Sequence, residues 1–422
     1  MSLHKSKVSI IGLGYIGLPT AAVLASVGHE VVGVEISQHV VDTVNRGEIH
    51  IVEPDLDSLV HAAVTSGRLR AVLAAEESDV FIIAVPTPFK EGNQPDLTYV
   101  EQAARSIAAY LRPGNLVILE STSPVGTTEK LAGWLASARP DLKFPTGSEP
   151  ASDIHLAYCP ERVLPGSIVS ELFRNDRIVG GLSSRCAKLA RELYETFVTG
   201  QCIETEARTA EMAKLTENAF RDVNIAFANE LSLICDELSI DVWELISLSN
   251  RHPRVNILNP GPGVGGHCIA VDPWFIVNSA PKVSHLIRTA RQVNDGKPDW
   301  VIDKVNTAVE MSRSLLGRDV VVACLGLAFK ANIDDLRESP SLEIAERLAK
   351  QRSGVRLLIV EPYIEKLPNN LAYEPDVELM GLEAALLKAD VVVLLVDHHQ
   401  FKSVDRACLD GKVVVDTRGV WR

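Results

Sequence analysis

Through the N-terminal half of the chain, short apolar runs alternate with stretches whose apolar residues recur at helical spacing. Val8–Gly12 is apolar and ends in glycine, Pro19–Val27 is apolar at helical spacing, and Glu30–Glu35 is strand-like again. A strand–turn–helix–strand unit of about 30 residues has the size of a βαβ module. Val80–Val85, Leu116–Glu120, Ile154–Tyr158 and Ile178–Gly180 continue as buried-strand runs, with helical patterns at Leu97–Leu111 and Thr128–Ala138. This alternation predicts a mostly parallel sheet with helices on both faces.

The pattern then changes. From Glu206 to Leu238 there is neither proline nor glycine, and apolar residues keep a helical period. Such a helix is about 50 Å long, which suits a connector between domains and a surface that pairs two subunits. Asp241–Leu248 reads as a shorter helix, followed by a Pro/Gly-rich loop from Asn259 to Cys268. A second α/β block starts at Arg318, with strands Val320–Leu325, Val355–Val360, Val391–Val396 and Val413–Asp416 and helices Ser341–Lys350 and Leu382–Leu387. Ser339-Pro340 reads as an N-cap with proline at the first helical position. The expected architecture is α/β: two Rossmann-like doubly wound domains joined by a long central helix. Residues 1–204 form the first domain, 205–300 the helical linker with its loop, and 301–422 the second domain.

Composition narrows the function classes. The 422 residues are 46% hydrophobic and 23% charged, an ordinary globular balance, with a net charge of −13. That acidity argues against nucleic acid as a partner. The seven cysteines are odd in number and lack CxxC spacing, so neither a disulfide framework nor a structural metal site is expected, and reduced cytoplasmic thiols are the default. Lys5 and Lys7 before Val8–Val27 resemble a signal peptide superficially, but Gly12, Gly14, Gly17 and Pro19 interrupt the stretch. No other apolar run is long enough to predict a membrane span.

Four places carry candidate chemistry. Gly12-Leu-Gly14-Tyr15-Ile16-Gly17 follows a strand and opens a helix, the context of a dinucleotide fingerprint. The first glycine permits the turn, the second admits a pyrophosphate to the backbone, and the third lets helix and strand pack closely. Glu35 ends the next strand, where a carboxylate accepts ribose hydroxyls and repels a 2′-phosphate, so the expected cofactor is NAD. Val85-Pro86-Thr87-Pro88 follows a strand, so Thr87 is a cofactor contact or merely part of a strand stopped by prolines. Cys268 closes the run Gly265-Gly266-His267, an open setting that favours a reactive thiol, and the other six cysteines are expected to be small buried apolar residues. His267 is read as a loop residue. Lys214, Asn218 and Arg221 share one face of the long helix, as a polar site stripe or as a solvated face. Glu161, after a strand end, is a proton- or water-handling carboxylate or a turn residue.

Together these motifs resemble the UDP-glucose/GDP-mannose 6-dehydrogenase family. The resemblance rests on Gly12–Gly17, Val85–Pro88, Ser121-Thr-Ser-Pro-Val-Gly126, Cys159-Pro-Glu-Arg162, Lys214-Leu-Thr-Glu-Asn218, Gly265–Cys268 with Asp272, Phe329-Lys330 and Arg337-Glu-Ser-Pro340, in family order across nearly the whole chain. The runs Asn45–Asp55, Leu215–Asp236 and Asn250–Ile276 are similar to those of members that oxidise UDP-N-acetyl-D-mannosamine. UDP-glucose, UDP-N-acetylglucosamine and GDP-mannose remain alternatives. The resemblance implies a four-electron oxidation of the sugar C6 alcohol with two NAD and one water, through a thiohemiacetal and a thioester on Cys268. It implies Lys214 and Asn218 at the oxyanion, Asp272 ordering water, and Glu161 in hydrolysis. Tyr15, Ile16, Thr128 and Arg337 match cofactor positions. Arg162, Val163, Arg221, His252, Arg254, Gly265, Phe329, Lys330 and Arg418 match positions lining the UDP-sugar cleft, alongside Lys214 and Asn218. Glu35 departs from the aspartate commoner in close relatives, and Arg162 from the aromatic residue of glucose-type members. A homodimer through the central helix is expected. A non-catalytic nucleotide-sugar sensor or a single-step hydroxyacid dehydrogenase would not need Cys268.

Overall fold

The computed structural model describes residues 5–145, 152–164, 166–266, 268–351 and 354–422. The chain divides into two compact units, Met1–Glu217 and Asn218–Arg422, and the division falls inside the helix Ala207–Glu237. That helix matches the proline- and glycine-free stretch to within a residue at each end.

In the first unit the strands are β1 (Lys7–Ile11), β2 (Glu30–Val34), β3 (Leu69–Val72), β4 (Val80–Ile83), β5 (Phe89–Lys90), β6 (Gln94–Pro95), β7 (Leu116–Leu119), β8 (His155–Tyr158), β9 (Arg177–Gly181) and β10 (Cys202–Glu206). Among the described residues the main sheet has the order β3-β2-β1-β4-β7-β8-β9-β10, and β5-β6 is a separate hairpin. The main-sheet pairs are parallel except β8–β9. Side chains alternate across it: Val80, Ile82, Leu116 and Ile118 enter one core, and Phe81, Ile83, Val117 and Leu119 the other. Both faces are therefore covered, which is why these strands read as unbroken apolar runs. The helix Gly17–Ser26 is buried from Gly17 to Ala25, so it too reads as apolar all round. β3 and β10 escape the sequence pattern because β3 carries an exposed arginine and β10 exposes Glu204 and Glu206.

The second unit contains β11 (Val320–Leu325), β12 (Val355–Val360), β13 (Val377–Leu379), β14 (Val391–Leu394) and β15 (Val413–Asp416), in the parallel order β13-β12-β11-β14-β15. This order repeats that of β3-β2-β1-β4-β7. In both sheets the strand order reverses beside the first strand, at β1/β4 and at β11/β14, where doubly wound sheets bind ligands. The turns there are also alike. Gly12 has φ +94° and donates to Val34 O at 2.9 Å; Gly326 has φ +97° and donates to Val360 O at 2.8 Å. Only glycine adopts this conformation without strain.

One long element was illegible in the sequence. The helix His285–Leu316 runs through Gly296-Lys297-Pro298, which reads as a break. Pro298 forfeits a backbone hydrogen bond, a change that costs about 3 kcal/mol in a helix interior. Buried side chains offset it by tying this helix to Ala207–Glu237. Arg291 donates to Asp222 Oδ1 at 2.6 Å, Asn294 Nδ2 donates to the same oxygen at 2.8 Å, and Asn229 Nδ2 donates to Asn294 Oδ1 at 2.8 Å. Lys297 is buried, donates to Ser232 Oγ at 2.7 Å and lies 3.5 Å from the centre of the Trp300 ring.

Burial pushes the Lys297 ammonium down from 10.5 to about 7, against a smaller upward pull from Asp236. A depressed lysine opposes folding while it is charged. Its penalty is therefore full below pH 7 and fades as pH rises toward the unfolded value. The melting temperature of the wild type is expected to rise relative to Lys297→Met between about pH 7 and 10. A difference that stays constant across that range would show that Lys297 does not titrate there.

Candidate functional site

The turn after β1 builds a site for a dinucleotide. Nothing lies within 4 Å of where a Gly14 side chain would start, whereas a Cβ on Gly17 would sit 1.8 Å from the Gly12 carbonyl. The roles differ accordingly: Gly14 leaves open space at the helix start, and Gly17 is required by packing. Gly14 and Tyr15 are exposed and Ile16 is half-buried. Glu35, half-buried at the end of β2, accepts Leu13 N at 3.0 Å through Oε2, and Ile36 N and Ser37 N at 2.8 and 3.2 Å through Oε1. The open glycine turn, the helix N-terminus behind it and this carboxylate fit the pyrophosphate and ribose of NAD. Thr87, beyond β4 at the same end of the sheet, donates its hydroxyl to Thr122 O at 2.6 Å.

Thr128 is tied to the long helix. It is fully buried, and its amide and hydroxyl both donate to Glu211 Oε1, at 2.8 and 2.6 Å. Glu211 also accepts Gly126 N at 2.6 Å. A carboxylate from the long helix thus occupies the N-terminus of the helix Thr127–Ala138, with Thr128 donating to it twice.

Glu161 and Arg162 lie beyond β8. Glu161 is buried, pairs with Arg177 at 2.6 Å and accepts Arg162 N at 2.7 Å. Arg177 is also 3.8 Å from buried Glu120, which accepts the Tyr194 hydroxyl at 2.6 Å. Burial pushes Glu120 up to about 7, only partly offset by Arg177. The Cys159 thiol, likewise buried, is pushed up to about 12. The Arg162 guanidinium is committed to Glu217, at 3.1 Å from Nε and 2.6 Å from Nη2, and to Asp176 O at 3.3 Å. Its neighbour Val163 packs against the core. At the other end of the loop, buried Glu53 accepts Gly166 N and Ile168 N at 2.8 and 2.7 Å. Arg177, Glu120, Glu217, Glu53 and Glu211 were all missed in the sequence. Each acts through pairing across 55 or more residues, or at 16 residues for Arg177–Glu161, and no local motif marks them.

The second unit carries the thiol loop. Cys268 is exposed, and its carbonyl accepts Asp272 N at 2.9 Å as the helix Asp272–Ser279 begins. The buried Asp272 carboxylate accepts Asn218 Nδ2 at 2.5 Å. Asn218 and Asp272, 54 residues apart in the chain, are therefore in direct contact at the base of the loop. A Cβ on Gly265 would lie 2.8 Å from Phe329 Cβ, and one on Gly266 2.9 Å from the Phe329 ring. Only glycines let the loop lie on that ring. Phe329, Lys330 and Arg418 line one pocket with Gly263, Pro340 and Val396, at the β11/β14 reversal. Arg337 is exposed and pairs with Asp335 at 2.6 Å within the second unit. His252 and Arg254 are exposed, and His252 Nδ1 accepts Arg254 N at 3.3 Å. Arg221 is exposed and Lys214 half-buried, so the stripe on the long helix grades from core to solvent. His267 lies outside the described residues. Of the other cysteines, Cys159, Cys186, Cys235 and Cys324 are buried as expected. Cys202 is half-buried on an edge strand, and Cys408 is exposed on a peripheral turn, contrary to expectation.

Known proteins are similar over nearly the whole chain. Residues 6–198 match the NAD binding domain of the UDP-glucose/GDP-mannose dehydrogenase family, 208–296 its central domain and 323–422 its UDP binding domain. The chain belongs to the UDP-glucose/GDP-mannose dehydrogenase family. It is an NAD-dependent dehydrogenase by that membership. It is 62% identical to an NDP-N-acetyl-D-galactosaminuronic acid dehydrogenase of Ralstonia nicotianae, over 98% of this chain and 96% of the relative. It is 60% identical to the UDP-N-acetyl-D-mannosamine dehydrogenase of Escherichia coli, over 98% and 99%. Among solved structures, the UDP-D-ManNAc dehydrogenase of Pyrococcus horikoshii is similar at a TM-score of 0.85 and 39% identity, covering 99% of this chain and 96% of that one. No helix among the described residues is long and apolar enough to cross a membrane.

The position of Glu35 generates a test. Glu35→Ala removes the charge that opposes a 2′-phosphate, so the ratio of kcat/KM for NAD over NADP is expected to fall about tenfold or more. Unchanged discrimination would show that Glu35 does not meet the ribose.

Proposed function

We propose that this enzyme oxidises the C6 alcohol of UDP-N-acetyl-D-mannosamine to the carboxylate, in two successive two-electron steps that consume two NAD and one water. The observation that supports it most is Cys268: an exposed thiol on a loop whose glycines lie on Phe329 and whose base is fixed by Asn218 and Asp272. A dehydrogenase that stopped at the aldehyde would have no use for it.

NAD, when bound, accepts the hydride in each oxidation. The residues of the chain do the remainder. An aldehyde bears no alkoxide from which hydride can leave, so the Cys268 sulfur adds to its carbon and the oxygen takes a proton, giving a thiohemiacetal. Loss of hydride from carbon, with loss of the hydroxyl proton, converts that adduct to a thioester. Water then adds to the thioester carbon, the C–S bond breaks, and the carboxylate leaves with the thiol restored. Lys214 is assigned to the developing oxyanion together with Asn218, whose amide is oriented by Asp272 and keeps a second N–H. Asp272 orders water, and Glu161 takes the proton of the attacking water with its carboxylate held by Arg177. Arg162, anchored by Glu217, is assigned to the acetamide or the diphosphate, and Phe329, Lys330 and Arg418 to the nucleotide.

The substrate reading follows the relatives named for N-acetylmannosamine. The Ralstonia relative favours a second reading, an N-acetylgalactosamine nucleotide. The two sugars differ at C2, where the acetamide is axial in the first, and at C4, where the hydroxyl is axial in the second. Both carry an acetamide that glucose lacks. A pocket shaped for it leaves polar groups unpaired with UDP-glucose, at about 1–3 kcal/mol each.

The chain is also proposed to form a homodimer through the long helix, which exposes Phe220, Phe227 and Ile234 at seven-residue spacing on one face. Phe227→Asp is expected to sediment at half the mass of the wild type; equal masses would exclude this face.

The catalytic test is to count NADH formed per sugar across UDP-N-acetylmannosamine, UDP-N-acetylgalactosamine, UDP-N-acetylglucosamine and UDP-glucose. The expected result is two per sugar, with kcat/KM for UDP-N-acetylmannosamine at least about tenfold above UDP-glucose. Cys268→Ser is expected to bind both ligands without net turnover. One NADH per sugar, or near-normal turnover of the serine variant, would sink the thioester route, and preference for the galactosamine nucleotide would establish the second reading.

A further inference from the structure

The turn after β11 contains a buried pair of side chains that takes no part in the chemistry above. Glu361 directly follows β12 and His398 follows β14; both side chains are fully buried. Glu361 Oε2 accepts Leu327 N at 2.7 Å and Ala328 N at 3.0 Å, and lies 3.2 Å from His398 Nε2. Its other oxygen accepts Tyr363 N at 3.2 Å. His398 Nδ1 meets Asn332 N at 2.9 Å. A backbone amide can only donate, so Nδ1 is an acceptor and the proton of the neutral ring sits on Nε2, facing the carboxylate.

These bonds hold the chain at residues 327 and 328 and again at 332. Asn332 is in the left-handed region, φ +63°, and its side-chain oxygen accepts His399 N at 2.9 Å, fixing that end. Between the two anchors stand Phe329, Lys330 and Ala331, which line the pocket at the sheet's reversal with Arg418. Phe329 is the side chain against which the thiol loop packs, Gly265 at its Cβ and Gly266 at its ring.

We infer that Glu361 and His398 are a positioning pair that holds the Phe329–Lys330–Ala331 arc in its nucleotide-binding conformation and, through Phe329, seats the thiol loop. The inference rests on the reading that this arc holds the UDP moiety. Neither residue touches substrate. Their loss frees the arc and weakens nucleotide binding while the NAD turn in the other unit is untouched.

The test uses the full-length enzyme, with UDP titrated calorimetrically and KM measured for NAD. His398→Phe keeps the ring that packs 5.1 Å from Tyr363 and 5.2 Å from Phe401 but removes both hydrogen bonds. It is expected to weaken UDP binding about tenfold and leave KM for NAD within about twofold. His398→Asn places an oxygen where Nδ1 stood and is expected to recover part of the affinity. Glu361→Gln retains the volume and shifts UDP affinity in the same direction, and it decides the matter if His398→Phe does not fold. Lys330→Ala is run beside them to test the nucleotide site itself. Wild-type UDP affinity in the pair variants with a weakened Lys330→Ala overturns the positioning role alone. Unchanged affinity in all of them overturns the nucleotide-site reading as well. A rise in KM for NAD that tracks the loss of UDP affinity, with no recovery in His398→Asn, overturns it in favour of general loosening of the fold.

Discussion

A carboxylate at the end of the second strand, accepting backbone amides from the turn after the first, is the interaction on which both halves of this molecule depend. A strand that turns through a glycine at φ near +95° leaves amides pointing outward with no carbonyl to meet them. Glu35 meets one such amide in the first unit, and Glu361 meets two in the second. The helices, the covered sheet faces and the ligand-facing loops all follow from turns held in this way. The strand order reverses beside each turn, which opens the crevice that the turn lines.

A second layer of buried charge positions loops rather than strands. Glu53, Glu161 with Arg177, and Glu211 each place a carboxylate on a loop or helix start, and Asp272 holds Asn218 of the long helix. These groups are costly to bury, and they persist because their oxygens are filled by amides, hydroxyls or guanidinium groups. The loops are thus tied down by polar groups held inside the fold, beside the apolar cores that cover the sheets. Thr128 shows the pattern: its amide and its hydroxyl both donate to Glu211.

Much of the frame was legible because both sheet faces are buried and the strands announce themselves as apolar runs. Val320–Leu325 and Val355–Val360 were read to the residue. The edge strand β10 was not, since an exposed edge tolerates Glu204 and Glu206 as well as it would valine. The helix through Pro298 was hidden because a proline's local preference is overridden by Arg291, Asn294 and Lys297 pairing with a helix some 65–72 residues away. At the site, motifs with local spacing were visible: the glycine turn, Glu35, the thiol loop and Asp272. The partners that hold them were not. Arg162 reads in sequence as a cleft residue, and only the fold reveals Glu217 across its guanidinium.

NAD and a nucleotide sugar are chemically alike at one end: each offers a ribose beside a pyrophosphate. A protein with two similar sheets must keep them from exchanging places. In the first unit Glu35 stands half-exposed at its strand end, and its carboxylate can turn to a pair of ribose hydroxyls. In the second, Glu361 is sealed beneath the turn with its oxygens taken by three amides and an imidazole, and no hydroxyl can reach it. The imidazole of His398 completes that enclosure, so of two carboxylates at equivalent strand ends one stands half-exposed and the other is engaged entirely inside the fold.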